Sequence, residues 1–370
     1  MQTIIKKTLA MFNAGTENAN PMHYDRIPGI VVTAKGTVIV YWELRSGPND
    51  WACYAIGMRR SEDSGETWSP VTEIAVSEKN KNPEENMLNN PVMIARRDGT
   101  IVFMWEEAYC RGFVQVSADD GKTFGPAAEI TNQLEAFKTK TGFKWDLFAF
   151  GPGHGIELDN GSLIVPVWYS NGGKRPHRPS VCSAIRSDDG GKTWQTGSMI
   201  GANENLVNPN ETCAVQLDSG DVLLNIRHEG KKFFRVITTS KNGISGFSGF
   251  RYDEALRDPI CFGSIAKSPA KYSGKTVIVF SNCANSPRKD NNYSRARIKL
   301  TLKASFDNCA TWEKERVLEE VSGYSDVAFS PDGKWIYAFY EHDLDTHLFS
   351  QPCRLTFAKM NMEWIMDNEA

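Results

Sequence analysis

The sequence lacks the marks of several large protein classes. Its 370 residues carry a net charge of −3 and no basic run beyond pairs such as Arg59-Arg60 and Lys231-Lys232, which argues against a nucleic-acid partner. No stretch approaches the roughly 18–20 apolar residues of a membrane span. The opening MQTIIKKTLAMFNAGTENAN contains two lysines, but its apolar TLAMF is too short for a secretory core. A cytoplasmic protein is therefore expected, or one whose leader has been removed. None of the eight cysteines (Cys53, Cys110, Cys182, Cys213, Cys261, Cys283, Cys309 and Cys353) falls in a C-x-x-C motif. Reduced thiols on strands are expected, several of them buried. The six histidines form no H-E-x-x-H or H-x-H pattern; His154 and His228 are candidates to line a cleft, and no metal site is expected. Helical periodicity is nearly absent. With 41% apolar residues the chain can bury one large core or two smaller ones, so length alone leaves the domain count open.

What the chain has is a repeated turn. SEDSGETW at 61–68 returns as SADDGKTF at 117–124, SDDGGKTW at 187–194 and SFDNCATW at 305–312. The intervals are 56, 70 and 118 residues, and a degenerate copy, TTSKNGISGF at 238–247, divides the longest into 53 and 65. A period of roughly 40–60 residues with strands inside each unit points to propeller blades. In each copy a Ser opens the turn, and Asp63, Asp119, Asp189 or Asp307 is placed to accept backbone N–H bonds across it. Gly65, Gly121 and Gly191 suit a positive φ. The closing aromatic starts the next strand and can plug between sheets. Segments such as GTVIVYWEL, TIVFMWEEAY, SLIVPVWYS, DVLLNIRHE, KTVIVFSN and IYAFYEH read as strands. The turns are scaffold, so function is sought at unusual residues near strand ends. These are Arg26, Asp50, Glu211, Arg227, Arg297, Tyr324 and Glu341. Arg227 and Arg297 interrupt apolar, strand-like sequence, where charge is costly unless it is paired or meets water or an anionic ligand.

Here the chain resembles a family. The repeats are similar to the Asp boxes of sialidases (exo-α-neuraminidases), and the resemblance spans about residues 24–343. RIP at 26–28 resembles the family's first-arginine motif, though Asp25 stands where an aromatic is usual. Asp50 lies eleven residues before the first box, as the acid/base aspartate does. NETCAVQLDSGDVLLNIR is similar to the stretch with the glutamate and second arginine. RIKLTLKASFDNCATW resembles the third-arginine strand and last box, and SGYSDVAFSPDGKWIYAFYE the segment with the nucleophilic tyrosine and closing glutamate. Phe124 and Cys309 replace the usual Trp and Gly of their boxes. The resemblance implies an all-β fold: a six-bladed β-propeller of four-stranded antiparallel sheets. It is expected to occupy residues 1–370 as one catalytic domain, with the N-terminal ~20 residues and the C-terminal tail closing or flanking the ring.

The implied substrate is a sialylated glycan, cleaved without a cofactor or metal. Arg26, Arg227 and Arg297 would hold the sugar carboxylate by charge-assisted hydrogen bonds, with Glu341 pairing the first arginine. Tyr324 would be the nucleophile, because a neutral phenol avoids the repulsion an anionic carboxylate meets at a carboxylate-bearing anomeric centre. Glu211 would take its proton and Asp50 would serve as acid and then base, with overall retention. Arg45 is expected near the ring hydroxyls, and Trp51, Met87 and Phe150 are candidates for the C5 pocket. Three alternatives stay open: a related nonulosonic or ulosonic acid of KDN type as substrate, transfer to an acceptor sugar, and a non-catalytic glycan-binding propeller. Oligomeric state is not readable.

Overall fold

Runs such as VIVYWELR and LIVPVWYS are apolar without the alternation of a half-solvated sheet, and the computed structural model shows why. It describes residues 3–10, 24–78, 86–173, 177–201, 206–285, 297–342 and 354–367. In the strand Val38–Arg45, Val38, Val40, Trp42 and Leu44 pack against Tyr337, Phe339, Leu355 and Phe357. The intervening Ile39 and Tyr41 face Met93, Ile101 and Phe103. One strand thus feeds two cores, because its sheet is flanked by neighbouring sheets on both faces.

The fold is all-β and propeller-like, with several antiparallel sheets. Four strands (Tyr24–Val32, Val38–Arg45, Cys53–Ser61 and Thr72–Val76) form the first sheet in chain order. The second pairs Leu88–Ala95, Ile101–Glu107, Arg111–Ser117 and Ala128–Glu129, and Gly153–His154 joins it in parallel. The third is built on Leu147–Phe150, Leu163–Ser170, Ser180–Ser187 and Gln195–Thr196, with Ile156–Glu157 added. Thr212–Gln216, Val222–Ile226, Phe234–Ser240 and Ser248–Arg257 make the fourth.

The remaining strands differ from the expected uniform four-stranded blades. They join in a seven-stranded sheet from Ser264–Lys267 through Ile278–Cys283, Ile298–Ser305, Lys314–Phe329, Trp335–His342 and Arg354–Asn361 to Ile4–Ala10. The join is the 16-residue strand Lys314–Phe329. Its first half, to Val321, pairs with Ile298–Ser305; its second half, from Ser322, pairs with Trp335–His342.

The Asp boxes hold their turns as their chemistry predicts. In the first, Gly65 N donates to Ser61 Oγ at 2.7 Å, and Thr67 N and Oγ1 donate to Asp63 at 2.8 and 2.5 Å. The second, third and last boxes repeat the Ser–Asp–Thr pattern. In the degenerate copy Asn242 Oδ1 accepts from Ile244 N and Ser245 N. Cys309 adopts φ 63° in the glycine position, and its thiol fills a core with Val215, Leu223 and Phe280.

Each turn also leans on the preceding sheet. A Cβ at Gly121 would meet Ile39 at 2.6 Å and one at Gly243 would meet Ile164 at 2.7 Å. At Gly65 it would meet Phe357, in the last sheet, at 2.4 Å. The first box therefore seats against the end of the chain, where Ile4–Ala10 pairs with Arg354–Asn361.

Among the described residues two helices, Thr131–Thr141 and the short Met362–Met366, fit the expected near-absence of helix. The first buries little more than Leu134 and Phe137, the latter stacked on Tyr169 at 4.3 Å. So short an apolar stripe leaves little periodicity to read. Among the described residues no helix is long and apolar enough to cross a membrane. Cys353 and residues 11–23 lie outside the described residues, and the seven described cysteines are free thiols.

Candidate active site

The charged residues singled out in the sequence come together at one end of the sheets, around a cavity of about 430 Å³. Arg26, Arg45, Asp50, Glu211, Arg227, Arg297 and Tyr324 all line it, and Glu341 lies behind Arg26. A larger cavity of about 540 Å³ opens among the opposite ends of the same inner strands and contains none of them. His154 lines that second cavity, with Nδ1 2.8 Å from Asp326. His228 is buried and engaged by its own loop, with Nε2 2.9 Å from Phe234 O and Nδ1 accepting from Gly230 N. It lines neither cavity.

Arg26 sits where its strand slips register, between Arg26 and Gly29, with Ile27 at φ 60°. Gly29 permits the slip, because a Cβ there would lie 2.1 Å from the Tyr41 ring. Arg26 Nε donates to Glu341 Oε1 at 2.5 Å. The other oxygen of Glu341 accepts the backbone N–H of Tyr324 at 2.9 Å. One buried carboxylate thus fixes both the first arginine and the tyrosine. Burial acts against the Glu341 carboxylate, but Arg26 and its hydrogen bond outweigh this and hold the pKa below the ordinary range.

Glu211 and Arg227 face one another across a hairpin, and Arg227 N donates to Glu211 O at 3.1 Å. Their side chains form a buried ion pair. Tyr324 Oη donates to Glu211 Oε1 at 2.6 Å and accepts from Arg227 Nη1 at 2.7 Å. The three candidate guanidiniums surround this ring: Arg297 Cζ lies 5.0 Å from its centroid, Arg26 5.7 Å and Arg227 5.8 Å. Burial drives the Tyr324 pKa well above the usual phenol value, against the pull of Arg227 and Arg297. The proton is therefore held until something removes it, and the carboxylate in contact is Glu211.

Asp50 stands on the other wall, in the hairpin after Val38–Arg45, with its side chain 47% exposed. Burial acts to raise its pKa, but Arg45, His177 and Arg26 outweigh it and lower the carboxyl to about 2. Arg45 lines the cavity beside Asp50. Its guanidinium is 1% exposed and engaged on both edges, by Glu43 Oε2 at 2.6 Å and Asp50 Oδ1 at 2.9 Å. Glu43 in turn accepts Asn90 N at 2.7 Å. Of the three residues suggested for the C5 pocket, only Trp51 lines the cavity; Met87 and Phe150 are buried in separate cores.

Other lining residues escaped the sequence reading. His177 packs on Trp168, Tyr109 and Trp51, with ring centroids 5.5, 5.6 and 6.1 Å away. Arg178 forks onto Glu229 at the rim, with contacts of 2.5–2.8 Å. His177 and Arg178 lie in the sequence GGKRPHRPS, whose only signal was two prolines among basic residues. Among the described residues no group of three or more His, Cys, Asp or Glu side chains is placed to hold a metal ion.

Residues 72–336 match the BNR repeat-like domain family. The chain is 25% identical to a sialidase of Bacteroides fragilis, over 93% of this chain and 64% of that one. It is also 25% identical to a sialidase of Micromonospora viridifaciens, over 92% and 52%. The chain thus spans between half and two thirds of these relatives' length. Among solved structures the fold resembles the Hadza microbial sialidase Hz136, with TM-score 0.75, 23% identity and coverage of 92% and 66%. A leech intramolecular trans-sialidase gives TM-score 0.74 at 14% identity, over 97% and 71%. The repeat family covers more than half of the chain, and the relatives share one description. The chain belongs to the sialidase family with BNR repeats.

Proposed function

We propose that this protein is an exo-acting, retaining glycoside hydrolase that releases terminal α-linked sialic acid through a tyrosyl-enzyme intermediate. The observation that carries the proposal is the contact set of Tyr324: Glu211 within 2.6 Å of its oxygen and three arginines around its ring. Arg26, Arg227 and Arg297 bind the sugar carboxylate, which sets the anomeric carbon over Tyr324. As Oη attacks that carbon, Glu211 takes the phenolic proton and the glycosidic bond breaks. Asp50 gives a proton to the departing oxygen. In the second half Asp50 takes a proton from water, the water attacks the same carbon, and Tyr324 leaves with its proton returned by Glu211. Two displacements give retention. Asp50 is ionised in the free protein, so it must gain a proton on binding. The incoming carboxylate favours this by neutralising the cations, Arg26 among them, that hold Asp50 down.

We also propose that the seven-stranded sheet counts as two blades sharing Lys314–Phe329, making six blades and one domain over residues 1–370.

A fluorinated sialoside that slows the second step tests the mechanism. Peptide mapping after inactivation is expected to place the label on Tyr324. A label on Asp50 or Glu211 overturns the nucleophile, and a Tyr324→Phe protein as active as wild type overturns the mechanism.

A further inference from the structure

Under the ring of Tyr324 lie two thiols that the reaction does not use. Cys261 and Cys283 are fully buried and form one cluster with Ile27, Phe262 and Tyr324. The two thiols adjoin in that cluster, and each acts on the other's charge. Cys283 Sγ donates to the carbonyl of Gly323 at 3.4 Å, the residue immediately before the tyrosine. The two backbones approach closely because Gly263 has no side chain: a Cβ there would lie 2.8 Å from Asn282 Cβ. We propose that Cys261 and Cys283 form a two-electron oxidation site whose disulfide disables the pocket above it.

The surroundings favour reaction at Cys261. Burial acts against its thiolate, but the adjoining Cys283 thiol and the charges of Arg297 and Arg227 outweigh it and hold the thiol below the ordinary range. Burial instead pushes Cys182 and Cys213, in other cores, up to about 12. A small hydroperoxide is the oxidant class that fits so enclosed a place. The Cys261 thiolate attacks the outer peroxide oxygen, forming a sulfenic acid and releasing an alcohol or water. Cys283 then attacks that sulfur, the S–S bond forms, and a second water leaves. Two thiols lose two electrons and two protons, and the peroxide is reduced. The disulfide removes the bond to Gly323 O and shifts the surface on which Tyr324 rests.

The activity arm of the test rests on the hydrolase function proposed above; the mass arm does not. The whole protein is exposed to hydrogen peroxide, digested without reduction and mapped. Expected are a linked Cys261–Cys283 peptide lighter by two hydrogens, a tenfold or greater fall in hydrolysis of an aryl α-sialoside, and recovery with dithiothreitol. Cys283→Ser should form no link and keep its turnover through oxidation, and Cys261→Ala serves if that variant does not fold. A link between other cysteines, such as Cys213 and Cys309, overturns the site, as does peroxide damage elsewhere without any link. A Cys261–Cys283 link that leaves both turnover and binding of a carboxylate-bearing sialic acid analogue unchanged overturns the effect on the pocket. If the reduced protein has no turnover, the proposed hydrolase fails, while the linked peptide and analogue binding still decide the thiol site.

Discussion

Tyr324 is held in place by what it touches rather than by its own volume. Phe262 packs on its ring at 5.6 Å, Glu341 takes its backbone N–H, and Glu211 and Arg227 share its oxygen. Tyr324→Phe removes only that oxygen. It should keep the melting temperature within a few degrees and lower turnover by about a thousandfold or more, read by thermal unfolding and single-turnover kinetics. Asp50 carries a different signature. Its pKa is lowered to about 2, against roughly 4 in an unfolded chain, so its stabilising effect is complete above about pH 4. The effect disappears as pH falls from about 4 to about 2. With nearly half the side chain exposed, solvent screening limits it to about 1 kcal/mol. The stability difference between wild type and Asp50→Asn should therefore shrink between pH 5 and pH 2.5; a constant difference would mean that the Arg45 contact contributes nothing.

The Asp-box turn couples local chemistry to packing between sheets. Its carboxylates, such as those of Asp119 and Asp189, are lowered to about 2, mainly by hydrogen bonds from the Thr and Ser of the same turn. Asp189→Ala removes bonds from Ser187 and Thr193 and should cost about 1–2 kcal/mol in urea unfolding without changing the affinity of a sialic acid analogue. Gly65→Ala should cost more, about 2–4 kcal/mol, because it adds a Cβ at φ 89° and drives it into Phe357. Equal costs for the two would show that the turn does not bear on the neighbouring sheet. These turns were legible because each spells its own hydrogen bonds within eight residues. The helix Thr131–Thr141 was not, since two buried residues make no pattern. Nor was the fusion at Lys314–Phe329, where the chain passes from one strand pairing to another at Val321–Ser322 and a single Gly323 within a continuous strand is all that marks the place.

Across the whole molecule, the residues legible in sequence were those with a costly charge in apolar surroundings or a place in the family's order. Trp51 stood next to one of them; His177, Tyr109 and Trp168 carried no such mark, because aromatics on strands and in loops look alike whether they face a cavity or a core. Arg45 was visible, but its pairing with Glu43, two residues away on the same face of a strand, depends on burial that sequence does not display. Removing residues 1–10 tests how far the site depends on the ends of the chain. The deletion exposes the edge of Arg354–Asn361 and takes away the bonds of Lys6 to Leu318 O and Lys7 to Glu66 O. Glu341 lies on the adjoining strand, so looser packing there reaches Arg26 and Tyr324. The melting temperature should fall by roughly 5 °C or more and analogue affinity should weaken with it; a fall in neither would show that this strand is dispensable.

The pairing of Ile4–Ala10 with Arg354–Asn361 also has a mechanical meaning. The strands are antiparallel, with Ile4 beside Met360 and Ala10 beside Leu355. Tension applied between residue 4 and residue 361 would load the pair from one end, so its hydrogen bonds would bear force in turn and break in succession. A molecule stretched between those points in an optical trap should yield first at this seam, at low force, with a short extension step before the rest of the sheet gives way.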